Sequence, residues 1–149
     1  MNAIGYYPGC SLHGAGLELD MSLRAISAVA GVELREIDDW NCCGATAAHN
    51  ISLDLAVALP YRNLALAEAQ GMTEVLAPCA ACFSRLKGTC LRLANNPHLA
   101  ERMIEVVQRP YRGTIRVLNI NEYVARLLAG GFAAKLTTPL GLKVAAYYG

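Results

Sequence analysis

Cys42 and Cys43 are immediate neighbours in the stretch D-D-W-N-C-C-G-A, and Cys10, Cys79 and Cys82 stand in short turn-like segments elsewhere. Thiolate sulfur does two kinds of chemistry: it attacks as a nucleophile, and it binds soft metals. A disulfide between adjacent cysteines is strained, because the bond demands a set Cα separation and dihedral. Two sulfurs side by side therefore point to metal. A tetrahedral zinc takes four ligands, and five thiols exceed that number. Iron–sulfur clusters are also held by thiolates, and a group with several irons can use the surplus. Neighbouring sulfurs can then reach different irons, or one can bridge two.

Whether these sulfurs meet depends on the elements between them. A short apolar run, residues 3–7, reads as a buried strand and ends at Pro8-Gly9-Cys10. An amphipathic helix is expected near 17–30, with Leu19, Leu23, Ile26 and Val29 on one stripe, stopped by Gly31. Residues 32–37 alternate as a second strand and lead into the Cys42-Cys43 turn. A helix over about 52–70 contains Pro60 as a kink or fresh start, and residues 73–77 form a third strand. Pro78-Cys79-Ala80-Ala81-Cys82 opens the next helix, and Asn95-Asn96-Pro97 separates it from another at about 98–109. A fourth strand at 114–118, a helix at 121–129 and a last strand at 142–148 complete the series.

Strands alternating with helices predict an α/β fold, a small parallel Rossmann-like sheet flanked by helices. The carboxyl ends of parallel strands share one edge, where ligands bind. Cys10 follows strand one, Cys42 and Cys43 follow strand two, and Cys79 with Cys82 follow strand three. The cysteine loops thus belong at the carboxyl ends of the strands. The nearby helix N-termini favour anionic sulfur there.

The pattern Cys10, Cys42-Cys43-Gly44, Cys79-x-x-Cys82 resembles the cysteine-rich CCG domain. The flanking Y-Y-P-G-C-S-L-H-G, D-W-N-C-C-G-A and A-P-C-A-A-C-F-S-R-L-K are similar to the catalytic, B-type subunit of heterodisulfide reductase, which carries two such repeats. The opening A-I-G-Y-Y-P-G-C and the closing K-V-A-A-Y-Y-G also echo each other. The expected division is therefore a first CCG domain over 1–140, with 141–149 the opening strand of a truncated second repeat.

That resemblance implies an oxidoreductase that reduces the coenzyme M–coenzyme B disulfide, as in methanogenesis, between two noncubane 4Fe-4S clusters. It implies Cys10, Cys42, Cys43, Cys79 and Cys82 as ligands of the first cluster, and no catalytic residue beyond them. Its implied partners are the second repeat, a ferredoxin-like subunit of heterodisulfide reductase and its flavin-containing subunit, so that this half alone is expected to be inactive. Two alternatives stand beside it. One is the iron–sulfur subunit of another CCG-type oxidoreductase, acting on glycolate, lactate, glycerol 3-phosphate or succinate. The other is a zinc-binding scaffold without redox turnover. In an isolated half, oxidation of an exposed cluster would leave the thiols empty or free to take zinc.

The chain has 149 residues, 54% of them hydrophobic and 17% charged, with a net charge of +1. That balance gives no electrostatic argument for nucleic acid. With no secretory signal and no apolar run of membrane-spanning length, a cytoplasmic chain is expected. Cys90 lies outside the motif and reads as a small core residue. His13 sits in the first cysteine loop, placed to cap a turn or to donate a proton. Trp40 and Asn41 are expected to shape the second loop, with Trp40 shielding the site, and His49 and His98 to lie on the surface. Arg85 and Lys87 read as a solvated face close to Cys82. The glycines of H-G-A-G-L-E-L lack the third glycine of a dinucleotide fingerprint.

Overall fold

The computed structural model describes residues 2–45, 47–138 and 141–145. Its strands are β1 (Asn2–Tyr6), β2 (Val32–Glu36), β3 (Glu74–Leu76) and β4 (Arg116–Leu118). All pairings are parallel, and the order across the sheet is β2-β1-β3-β4. The helices are α1 (Gly9–Leu12), α2 (Leu17–Ala30), α3 (Ala48–Ile51), α4 (Leu53–Ala69), α5 (Ala80–Asn95), α6 (Pro97–Val107) and α7 (Ile120–Ala129), followed by a 3-10 turn at Phe132–Lys135. This is the expected α/β fold. The strand order reverses direction between β1 and β3, and a crevice outside the strand ends opens at such a reversal.

The two-residue period of the strands sorts their side chains between two cores. Ile4, Tyr6, Leu76 and Leu118 pack with Leu23 of α2 and with Tyr123 and Leu127 of α7. Val75, Val117 and the next residue past β1, Tyr7, pack with Leu64 and Leu66 of α4 and Leu86 of α5. A third cluster joins α4, α5 and α6 through Val57, Tyr61, Ala65, Leu93 and Met103. Covering both faces is what a parallel sheet requires. The edge strand β2 shows it by contrast, since its residues alternate between half-buried and exposed.

Two expectations need correction. The inner stripe of α2 is Asp20, Leu23 and Ser27, whereas Leu19 is 37% and Val29 56% exposed. Polar residues face inward because tyrosine hydroxyls await them. Tyr6 donates to Asp20 Oδ1 at 2.6 Å, and the Ser27 and Tyr123 hydroxyls share a hydrogen bond of 2.6 Å. A buried polar group with its partner in place escapes the desolvation penalty that normally excludes it. At the other end, residues 141–145 form no strand, and Leu142 and Val144 are exposed. Residues 146–149, the remainder of the expected last strand, lie outside the described residues. Pro60 lies inside α4, which runs unbroken from Leu53 to Ala69.

Candidate metal centre

Three adjacent strands, β2, β1 and β3, end at the same edge of the sheet, and each carries cysteine beyond its end. Past β1 the chain turns through Gly9, whose φ of +67° lies in the left-handed region. A Cβ at Gly9 would lie 2.8 Å from the Cys82 Sγ, so glycine is needed for close approach as well as for conformation. The following residue, Cys10, places its sulfur 4.0 Å from that of Cys42. Past β3, Cys79 caps the N-terminus of α5 and lies 3.8 Å from the Ser11 Oγ. Cys82, one turn into α5, shares a hydrogen bond of 3.5 Å with the Cys43 sulfur. Each cysteine segment thus touches another, and five sulfurs from three loops share one neighbourhood. Cys43 and Cys82 form a buried floor, Cys79 is half-buried, and Cys10 and Cys42 are exposed at the mouth.

The electrostatics are set by hydrogen bonds between the sulfurs. The Cys43 thiol is lowered to about 6, first by its hydrogen bond with Cys82 and, against the penalty of burial, by backbone amides and the Arg85 charge. Cys82 moves the opposite way, because of two thiols in contact only one ionises readily, and Cys82 keeps the shared proton. Burial opposes ionisation of Cys79, yet the amides of Cys82 and Ala81 and the Ser11 hydroxyl bring its thiol below the ordinary value. This is the stabilisation a helix N-terminus gives to an anion. The Gly44 amide favours a Cys42 thiolate, but burial and the neighbouring Cys10 outweigh it and raise that thiol. Beneath the group, burial and the surrounding cysteines push the Tyr7 hydroxyl up, so it stays protonated and donates to the Asn41 carbonyl at 2.8 Å.

Two thiolates on one tetrahedral ion, bonded at about 2.3 Å, lie roughly 3.8 Å apart. The observed sulfur separations of 3.5 and 4.0 Å bracket that value. Among the described residues no group of three or more His, Cys, Asp or Glu side chains is arranged to hold one metal ion. The sulfurs meet in two close pairs, Cys10 with Cys42 and Cys43 with Cys82, and Cys79 lies beside Cys82. Five soft thiol donors in one neighbourhood suit iron–sulfur binding.

Residues 4–87 match the cysteine-rich domain family CCG, which is more than half of the chain. The chain belongs to the CCG cysteine-rich domain family. It is 35% identical to the 8-methylmenaquinol:fumarate reductase membrane anchor subunit of Wolinella succinogenes, over 97% of this chain and 51% of that protein. It is 26% identical to the B-type subunit of the ferredoxin/F420H2-dependent CoB–CoM heterodisulfide reductase of Methanosarcina acetivorans, over 100% of this chain and 51% of that protein. The chain therefore spans about half the length of these curated relatives. Its fold is similar to the crystal structure of a hypothetical protein from Helicobacter pylori, with a TM-score of 0.70 and 19% identity, covering 83% of this chain and 25% of that one.

Around the CCG cysteines, several side chains do more than their sequence positions announce. The His13 Nε2 lies 3.5 Å from Glu36 Oε1, and its ring packs edge-on against Trp40. Trp40 donates to the same Glu36 oxygen and packs edge-on against Tyr7, which fixes the second loop over the first. Arg85 is not simply solvated: its Nη2 reaches the Ala45 carbonyl at 3.4 Å and lies 3.2 Å from the His49 Nδ1. His98 is on the surface, 3.7 Å from Glu101. Lys87 is half-buried on α5, and Cys90 packs against the core with its sulfur 3.6 Å from the Tyr111 hydroxyl. Sequence reasoning missed Ser11, Tyr7 and Asn63. For Asn63 a signal existed: it is an amide inside the apolar run A-V-A-L-P-Y-R-N-L-A-L-A, where an unpaired polar group would be costly. Among the described residues no helix is long and apolar enough to cross a membrane.

Proposed function

We propose that this chain is the first cysteine-rich half of an iron–sulfur subunit in a multi-subunit reductase. In it Cys10, Cys42, Cys43, Cys79 and Cys82 hold a noncubane 4Fe-4S cluster. The grouping of five thiols at one rim of the sheet carries this reading. When bound, the cluster supplies one-electron transfer. The chain's own part is to present sulfur already poised for metal. Cys43 is held toward its thiolate by Cys82, Cys79 is favoured by the first amides of α5, and Arg85 offsets negative charge. The exposed Cys10 and Cys42 leave the mouth open to whatever exchanges electrons there.

Two finer readings have separate support. Identity of 35% to the fumarate reductase protein, against 26% to the heterodisulfide reductase protein, favours electron transfer between a quinol and a fumarate or succinate couple. The flanking motifs and three relatives named for the B-type subunit of heterodisulfide reductase, or likened to it, favour reduction of the coenzyme M–coenzyme B disulfide. In both, the partners are the remaining half of the same protein, together with a ferredoxin-like and a flavin-containing subunit. Anaerobic reconstitution of the chain with iron and sulfide tests the common claim. Iron and acid-labile sulfide in equal amounts, with an electron paramagnetic signal lost in Cys42→Ser and Cys43→Ser, are expected. Stoichiometric zinc with no iron uptake would replace the proposal by the scaffold reading. Assay of the whole complex with fumarate and with the heterodisulfide separates the finer readings.

A further inference from the structure

The backbone just before Cys42 is held by a helix far away in sequence. Asn63 of α4 is fully buried. Its Oδ1 accepts from the Asn41 amide at 2.9 Å, and its Nδ2 donates to the Asn41 carbonyl at 2.8 Å. Both main-chain groups of Asn41 are thus taken by one side-chain amide, a two-point match that fixes a peptide in position and orientation. Tyr7 donates to the same carbonyl, and the Asn41 Nδ2 donates to the carbonyls of Cys42 and Leu59. Arg62, the neighbour of Asn63, holds the preceding turn by donating to the Asp39 carbonyl at 2.6 Å and to Asn41 Oδ1 at 3.1 Å. That turn contains a non-glycine residue in the left-handed region, Asp39 with φ of +59°. Such a backbone persists only where its surroundings over-determine it.

An asparagine is a poor choice for the interior of an apolar helix unless its amide has a partner. Here the partner is the peptide that carries the vicinal cysteines. We propose that Asn63 is a positioning residue for the Cys42–Cys43 pair, holding both sulfurs at the rim before any metal is present. This rests on the reading of the five cysteines as cluster ligands. Its consequence is that the second loop enters metal binding already ordered, so less conformational entropy opposes assembly.

The test compares Asn63→Asp with Tyr61→Phe. The first keeps the shape and the acceptor but replaces the donor with an oxygen facing the Asn41 carbonyl. The second removes a hydrogen bond from Tyr61 to the Arg109 carbonyl, in the cluster that joins α4 to α6. In the metal-free chain, alkylation of the buried Cys43 followed by mass spectrometry reports loop opening. Asn63→Asp is expected to speed it by about tenfold or more, the scale of losing a buried hydrogen bond. After reconstitution the same variant is expected to lose iron and to show an altered paramagnetic signal. Tyr61→Phe is expected to do neither at a comparable loss of melting temperature. If Asn63→Asp cannot be purified, Tyr7→Phe removes another hydrogen bond to the Asn41 carbonyl and should act in the same direction. Unchanged Cys43 labelling overturns the inference, as does an equal effect of Tyr61→Phe. If the parent chain takes up no iron, the cluster reading fails on its own, while the labelling rates still judge Asn63.

Discussion

Replacing Gly9 by alanine tests the close approach on which the convergence of the sulfurs depends. Two costs add at this position. A φ of +67° is disfavoured for an L-residue by about 1–2 kcal/mol. The new methyl would also lie 2.8 Å from the Cys82 sulfur, and relieving such an overlap in a packed interior costs about 1–3 kcal/mol more. Gly31 separates the two terms. It has a φ of +77°, yet nothing lies within 4 Å of where its Cβ would be. Gly31→Ala therefore carries only the conformational cost, and the difference between the variants reports the contact with Cys82. Urea unfolding measures it: with a slope of about 1–3 kcal/mol per molar, Gly9→Ala should bring the midpoint about 1 M below that of Gly31→Ala. Displacement of Cys82 should also reduce iron uptake in Gly9→Ala and leave Gly31→Ala as the parent. Equal midpoints with equal iron content would refute the placement of Gly9 against Cys82.

Met103→Ala, at a fully buried site of α6, should destabilise by about 2–5 kcal/mol in urea while leaving metal content unchanged, because Met103 packs in a core cluster separate from that of Cys43, Cys79 and Cys82. Burial resists ionisation of Asp20, but hydrogen bonds from Arg24 and Tyr6 prevail and hold its carboxyl below the usual range. A carboxylate lowered in the fold contributes stability above its unfolded value of about 4 and loses it as pH falls through the folded value. Thermal melts from pH 6 downward should show this loss, and Asp20→Asn should flatten that part of the curve. Brief alkylation of the metal-free chain at neutral pH should label Cys10 and Cys42 first and the buried Cys43 and Cys82 last. Cys43 has the low thiol value, but with 2% of its surface exposed it is limited by access.

Much of the fold was legible because a parallel sheet buried on both faces writes itself as short apolar runs between helical periods. Residues 3–7 were readable on that ground, residues 32–37 by the alternation of a half-covered edge strand, and the break between α5 and α6 by the polar and proline residues of Asn95-Asn96-Pro97. The stripe of α2 was legible only in part, since Leu23 and Ile26 pack inward but Leu19 and Val29 do not. Periodicity assumes that inward means apolar, and Asp20 and Ser27 point inward because Tyr6 and Tyr123, from other elements, bring hydroxyls to them. Arg85 was read as solvated for a similar reason, since the Ala45 carbonyl it reaches is 40 positions away.

The sequence by itself determined the chemistry on offer. Thiol is a property of residue type, and three cysteine segments each following a strand must share an edge once the strands run parallel. Only the tertiary structure decided how those sulfurs group. The pairing of Cys10 with Cys42 and of Cys43 with Cys82, and the depth of each, follow from which loop lies on which. Tertiary structure also gave Asn63 its place under the second loop, because a hydrogen bond depends on where two groups meet in space, whereas a helical or strand period depends only on neighbours along the chain.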